Sequence, residues 1–370
     1  LTVLVIVALQ YDRLRNSDHG YSASGVYFGS TSGMPGNKLS TVLSELRAIP
    51  QIETVGLGFS VPTEGASGNN FSLPDEEKEL FNVADFYWID ENYLSILNIP
   101  VTEGSNFSTE SCVPYDFLIS LKGANMLRIN SGWEDGVLGK QITLSEHGTN
   151  TIRGIFPDFV INSMADPDQR PSVFSFLPDD KFQEMIVKNP SFSCYILVKV
   201  FEEAQADIMK KITDVLNLAL PFQDAVVKSL ENEKIELYSS EKGFRTAMLA
   251  GSVIILLITF MGLLGYTTTE ASRRSKELAI RKISGARLSD ILMIFIKDLE
   301  YIALPAVLAG LTGAWFTSRK WMENFASQTP LHWGIFVSCS LFVILLVALI
   351  SALNYIIIAN RNPVEAVRYE

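Results

Sequence analysis

Only three cysteines and three histidines occur in 370 residues. His19, His147 and His332 lie far apart in no metal-ligand spacing. Cys339 sits in an apolar run, whereas Cys112 and Cys194 share one half of the chain. Those two could pair in an oxidising compartment or remain separate buried thiols. There is no G-x-S-x-G elbow and no Walker motif. Gly136-Val-Leu-Gly139-Lys140-Gln141 has two residues between its glycines where a phosphate loop has four. Gln follows the lysine where Ser or Thr would reach magnesium, so the stretch reads as a turn entering a strand. Charge is missing too. Residues 246–269, 301–318 and 333–359 contain no Asp, Glu, Lys or Arg. Ion-coupled carriers need such groups near the bilayer midplane, which argues against a secondary transporter.

What remains in those three runs is length and apolarity. Each approaches or exceeds the roughly 18 to 25 residues that cross a hydrocarbon core as a helix. Leu1 to Leu9 are apolar but too few to span. With no basic n-region or small-residue cleavage site, they do not read as a signal peptide. They read as the outer end of a truncated transmembrane helix, or else as a short buried strand.

The net charge of −11 hides two different halves. Residues 10–245 hold 33 Asp/Glu against 19 Lys/Arg, a net of −14, and the rest holds 8 against 11, a net of +3. The first part is expected to be a soluble acidic domain, a poor partner for nucleic acid. The second is expected to be a membrane domain. Six Lys/Arg lie between residues 270 and 287, which places that loop in the cytoplasm by the positive-inside rule. The expected order is a helix remnant (1–9), an external domain (10–245), a second membrane helix (246–269) and a cytoplasmic loop (270–298). A third helix (299–318), a short external loop (319–332), a fourth helix (333–359) and a cytoplasmic tail (360–370) complete it.

Within the external domain, two strand–helix–strand patterns recur. The first has a strand at 25–29, a helix at 37–49 capped by Asn37 with Leu39, Val42, Leu43 and Leu46 as its apolar stripe, and a strand at 52–59. The second has a strand at 194–200 and a helix at 203–218 with Ile208, Ile212, Val215 and Leu216 inward. A closing strand is expected at 234–238. Two such units predict an α+β, ferredoxin-like (split βαβ) sheet. A β-rich insertion of about 61–189 separates them, with strands at 81–88, 117–121, 140–144, 150–156 and 172–177. Residues 65–70, rich in Gly, Ser and Asn, read as a mobile surface loop. The acidic clusters Asp166-Pro-Asp168 and Asp75-Glu-Glu-Lys-Glu79 could hold calcium weakly or serve as solvated turns. In the membrane half, the row Ala306, Gly310, Ala314 and the glycines Gly251, Gly262 and Gly265 suit close helix packing, within one chain or across a dimer.

The basic loop is the sharpest feature. Residues 270–282 read as a helix leaving the membrane, with Glu277 and Arg281 as an i,i+4 pair and Leu278, Ile280 and Ile283 as an apolar patch. Gly285 is placed to end it. A segment of this kind could seat in a soluble partner, or only set topology and touch anionic lipid.

Glu270, Arg273, Arg274, Lys276, Glu277, Ile280, Arg281, Lys282, Gly285 and Ala286 resemble the E-x-x-RRxKEIAIRK-x-x-GA loop of the MacB/FtsX-type permeases of ABC transporters. Asn362-Pro363-Val-Glu365-Ala-Val-Arg368 is similar to that family's NPVEALR tail. Asp90-Glu-Asn-Tyr93 through Gly104, Gly132-Trp133 with Gly139-Lys140, and Ile152-Arg-Gly-Ile-Phe-Pro-Asp158 also resemble family stretches. Ser105 stands where the family has Arg.

The resemblance implies four membrane helices around a large external domain, in the bacterial inner membrane. It implies a permease with no catalytic, metal or cofactor site of its own. ATP and magnesium would be bound by a partner ABC ATPase docked on residues 270–287, Arg287 included, with the tail as a brace. It also implies a second permease copy or repeat, and membrane lipid, an adaptor or an outer-membrane protein as further partners. The function implied is export or extraction of an amphiphile such as an antimicrobial peptide, macrolide or lipoprotein, by movement of the external domain. The alternative within the family is a regulator that transports nothing and activates a cell-wall hydrolase.

Overall fold

The computed structural model describes residues 1–76, 78–166, 169–189, 191–201, 207–220, 222–274, 280–281, 284, 288–325 and 328–359. The chain divides into two compact units: residues 16–239, and residues 1–15 together with 240–370.

In the first unit, β1 (Val26–Ser30) leads through a 3-10 turn (Gly36–Lys38) into α2 (Leu39–Arg47) and β2 (Ile52–Gly58); α1 (Thr2–Asn16) belongs to the other unit. Leu39, Val42, Leu43 and Leu46 are all buried against the sheet, as their 3.6-residue spacing predicts. Each contributes about 1.5–3 kcal/mol relative to exposure. Asn37 is not the cap. The Lys38 N–H bonds Pro35 O at 2.9 Å, so Asn37 is consumed in a tight turn set up by the fixed φ of Pro35.

The return passage is β10 (Tyr195–Val200), α6 (Ile208–Ala219), β11 (Val227–Ser229) and α7 (Leu230–Glu236). The strand expected at 234–238 is therefore wrong. Its alternation is overridden by Glu231 and Glu233 in the first turn of α7, where carboxylates favour a helix. The closing strand is the three residues just before. The expected start of α6 falls partly outside the described residues. The helix begins after Asp207, whose φ is 63°. The sheet runs β11-β1-β10-β2, every pair antiparallel.

Between β2 and β10 lie β3 (Ser67–Ser72), β4 (Glu79–Ile89), α3 (Tyr93–Ile96), β5 (Glu103–Gly104), β6 (Phe117–Ser120), α4 (Leu121–Ser131), β7 (Gln141–Leu144), β8 (Gly148–Phe156), β9 (Ser172–Phe176) and α5 (Asp179–Lys188). The five strands expected here all form, with Leu121 opening α4 instead of closing β6. The loop expected at 65–70 is instead the start of β3, paired with β4 and β7. Its polar residues bond one another across the ladder: Asn69 Nδ2 donates to Asp85 at 3.1 Å and Asn82 Nδ2 to Asn70 at 2.9 Å. Because β4 also pairs with β9, the order β4-β3-β7-β8-β6-β9 closes into a six-stranded ring. One buried cluster draws on all six strands, including Phe71, Val83, Phe117, Ile142, Ile152 and Val173. It fills the ring, and Ala124 and Leu127 of α4 join it. A second cluster packs Phe86, Tyr93, Phe156, Phe159 and Phe174 on the opposite face, with ring centroids 5.1–6.0 Å apart.

A buried clasp ties the two ends of this unit together. His19 Nδ1 lies 2.8 Å from Ser17 O, so it carries the proton, and Nε2 accepts from Tyr238 Oη at 2.8 Å. The same hydroxyl accepts the Met164 N–H at 3.0 Å. Burial lowers the His19 pKa.

The other unit contains α1 (Thr2–Asn16), α8 (Ser239–Arg273), α9 (Leu288–Met322) and α10 (Trp333–Ala359). The first residues are thus helical and not a strand. Ile6 packs with Met322 and Phe336, and buried Gln10 accepts from the Thr329 N–H and hydroxyl at 2.9 and 2.7 Å. Two helical stretches, Ser239–Glu270 and Trp333–Leu353, are long and apolar enough to cross a membrane. The α8 side chains Ile254, Ile258 and Met261 are exposed, at 57%, 65% and 71%. Among the described residues, a Cβ on Gly251, Gly262, Gly265 or Gly310 would meet nothing within 4 Å, so these glycines do not serve close packing against them.

Candidate functional site

Helix α8 carries its uncharged run directly into the basic segment. Thr267, Thr268 and Thr269 turn their hydroxyls back onto carbonyls of the preceding turn at 2.7–2.9 Å, so each polar side chain is satisfied within the helix. Glu270 follows as a bridgehead. Its carboxylate accepts from Arg274 Nε at 2.6 Å and lies 3.8 Å from Arg273. This i,i+4 pair aligns the first two basic residues along the last turn, where cations also suit the helix C-terminus.

Ile280 and Arg281 are both exposed, and the Ser284 N–H bonds Ile280 O at 2.9 Å. Ile280 is 65% exposed. Lys276, Glu277, Lys282, Gly285 and Arg287, the Glu277–Arg281 pair, and the tail residues Asn362, Pro363, Glu365 and Arg368 lie outside the described residues. The Glu270–Arg274 pair was missed in the sequence, although its E-x-x-x-R spacing was there to read.

Other candidates resolve into structure. Gly136 and Gly139 have φ of 106° and 73°, Lys140 Nζ meets Asp135 at 2.6 Å and Trp133 from above, and β7 begins at the next residue. The stretch is a turn entering a strand. Cys112 and Cys194 are both free, and burial pushes the Cys194 thiol up to about 12. Among the described residues, no group of three His, Cys, Asp or Glu is placed to hold a metal ion. Asp90, in the stretch resembling the family, is fully buried. Its Oδ1 accepts the N–H groups of Asn92 and Tyr93 at 3.0 and 2.9 Å, while Oδ2 has no partner. Burial, with the nearby Asp179 charge second, raises its pKa to about 8.

One helix long and apolar enough to cross a membrane thus runs directly into two arginines paired with one glutamate. Residues 249–363 match the FtsX-like permease C-terminal family. That domain takes up just under a third of the chain. Among solved structures the chain is similar to the periplasmic region of MacB from Actinobacillus actinomycetemcomitans. That match has 13% identity over 58% of this chain and 92% of that one, with a TM-score of 0.39. It is also similar to a domain from a Porphyromonas gingivalis protein assigned as a permease. There the identity is 13% over 56% of this chain and 91% of that one, with a TM-score of 0.37. No curated protein matches the sequence.

Proposed function

We propose that this chain is the permease subunit of an ABC transporter, and that Glu270 to Arg287 is the element on which a separate ATPase acts. The family match over residues 249–363 carries this reading, because it encloses that segment, most of the apolar stretch Ser239–Glu270 before it and all of Trp333–Leu353 after it. On this reading ATP and magnesium belong to the partner, and the permease works as a dimer or tandem pair. Residues 360–370 brace the docked ATPase from the cytoplasmic side.

The unit of residues 16–239 then lies outside the inner membrane, consistent with its excess of acidic residues. Its strand order β11-β1-β10-β2, with α2 and α6 as the crossovers, supports the ferredoxin-like description. Helices α1, α8, α9 and α10 supply four membrane helices, the uncharged residues 301–318 being the membrane part of α9. With no charged group in these runs, the stroke is passed along rigid helices to the external unit, for export or extraction of an amphiphile. Co-purification from native membranes tests the reading, wild type against Arg281→Glu/Lys282→Glu. An ABC ATPase recovered with the wild type and lost from the variant is expected. An ATPase retained equally by both would remove the segment from the interface.

A further inference from the structure

One end of the six-stranded ring carries polar side chains that no transport step uses. Along the pairing of β4 with β9, Asp85 faces Val173 and Trp88 faces Ser175. Three steps on β4 thus match two on β9, which is a β-bulge, and Tyr87 within it has φ 54°. Strict alternation would send Asp85 and Trp88 to opposite faces. The bulge instead brings Trp88 onto the face that Asp85 shares with Ser175 and, across β6, with Phe117.

Asp85 is fully buried and its carboxylate is occupied. Oδ1 accepts the Tyr87 N–H at 2.7 Å, and Oδ2 accepts from Asn69 at 3.1 Å and from His147 Nε2 at 2.8 Å. Because the carboxylate accepts, Nε2 carries the proton; in the neutral tautomer Nδ1 is then an acceptor. The His147 side chain is 0% exposed and that nitrogen has no partner. Trp88 Nε1 and Ser175 Oγ are buried and unpartnered too. The Trp88 ring lies 5.4 Å from the His147 ring, the Phe117 ring lies 6.3 Å from it, and Ser175 is the register partner of both Trp88 and Phe117. Orphaned buried polar atoms are few in native proteins, and three in one neighbourhood call for a common partner.

The surroundings are aromatic and strained. Tyr87 and Tyr115 flank Trp88, with ring centroids at 5.7 and 6.5 Å. Tyr115 has φ 76°. Among the described residues, the other non-glycine residues at positive φ are Asn or Asp, which tolerate that region; bulky side chains do not, and such strain gathers at ligand clamps. Phe59 and Phe192 extend the cluster. Tyr115 is 37% exposed, so the cluster reaches solvent.

We propose that this end of the ring is a binding site for a hydroxylated aromatic, a phenol-type ligand. One hydroxyl matches the three groups: it donates to His147 Nδ1 and accepts from Trp88 Nε1–H and Ser175 Oγ–H. A carboxylate has no proton for Nδ1, and an ammonium has no lone pair for the indole. The ring of the ligand stacks among Tyr87, Trp88 and Tyr115, as apolar pockets in barrel mouths hold their ligands. This inference is independent of the permease reading.

The test is fluorine NMR of 4-fluorophenol with the full chain in lipid nanodiscs, empty nanodiscs giving the lipid background. Saturable binding displaced by phenol is expected, with fluorobenzene and 4-fluorobenzoate at least about tenfold weaker. Trp88→Phe and Ser175→Ala should each weaken binding by roughly three- to tenfold, the loss of one hydrogen bond, with unchanged circular dichroism. Absent saturable binding, equal affinity for fluorobenzene, or indifference to both variants would overturn it. So would a crystal structure in which one water bonds all three groups and stays in place under millimolar phenol.

Discussion

Replacing Asp90 with Asn should change how the stability of the unit of residues 16–239 depends on pH. Asp90 is 2% exposed at the junction after β4, and its amide bonds Leu57 O at 3.0 Å. Burial raises its pKa from 3.8 to about 8. Below the ordinary value the carboxyl is neutral in folded and unfolded chains alike. As pH rises past 4 the unfolded chain releases its proton while the folded chain keeps it, so stability falls until the folded group ionises near 8. At about 1.36 kcal/mol per decade, the shift from 3.8 to about 8 corresponds to an upper bound of about 6 kcal/mol, of which about 4 lies between pH 5 and pH 8. Asn retains an oxygen for the Asn92 and Tyr93 N–H groups and cannot ionise. Hydrogen exchange of β2 and β4 amides in the full chain, corrected for intrinsic rates, reads the opening free energy at pH 5 and pH 8. The wild type should lose stability over that interval relative to Asp90→Asn by a few kcal/mol. Identical slopes within 1 kcal/mol would refute the assignment of a buried neutral acid.

Tyr238→Phe removes two hydrogen bonds of the buried clasp and orphans His19 Nε2. It should cost about 1–3 kcal/mol, read as lost exchange protection near residues 17–20 and 160–164. Burial disfavours charged His19, so the clasp should loosen as pH falls below about 6.5, and His19→Gln should remove that dependence. Phe174→Ala, in the middle of the aromatic cluster, should cost about 3–5 kcal/mol in a denaturant titration followed by near-ultraviolet circular dichroism. Gly104 has φ 80°, and a Cβ there would lie 2.2 Å from Arg153 O. Gly104→Ala should therefore cost at least about 2 kcal/mol and release the β5–β8 pairing, measurable as faster exchange of the Ser105 amide.

The apolar spacing in α2 and α6 and the strands of the insertion were legible because burial imposes a simple period on the sequence. The two apolar helical stretches Ser239–Glu270 and Trp333–Leu353 were legible because length and charge exclusion suffice. What stayed hidden was held by polar or non-local terms. Strand β3 has no apolar alternation over Ser67–Asn70, and its Asn side chains are paired by partners about a dozen residues or more away. The α7 region alternates like a strand, yet the acidic first turn and the three-residue strand before it decide the outcome. The Asp85–His147–Trp88 group depends on a bulge that only the strand register reveals. For residues 270–287, the sequence motif spoke more fully than the fold, whose described residues there among the motif positions are Glu270, Arg273, Arg274, Ile280 and Arg281.

The central claim is that this segment touches an ATPase. A photo-crosslinking amino acid at Ile280, 65% exposed, tests it in native membranes, with the same group at Leu218, 79% exposed in the other unit, as the control. Capture of a nucleotide-binding ABC subunit from position 280 and not from position 218 is the predicted result. Capture of lipid alone at 280, or of the ATPase at 218, would contradict the account.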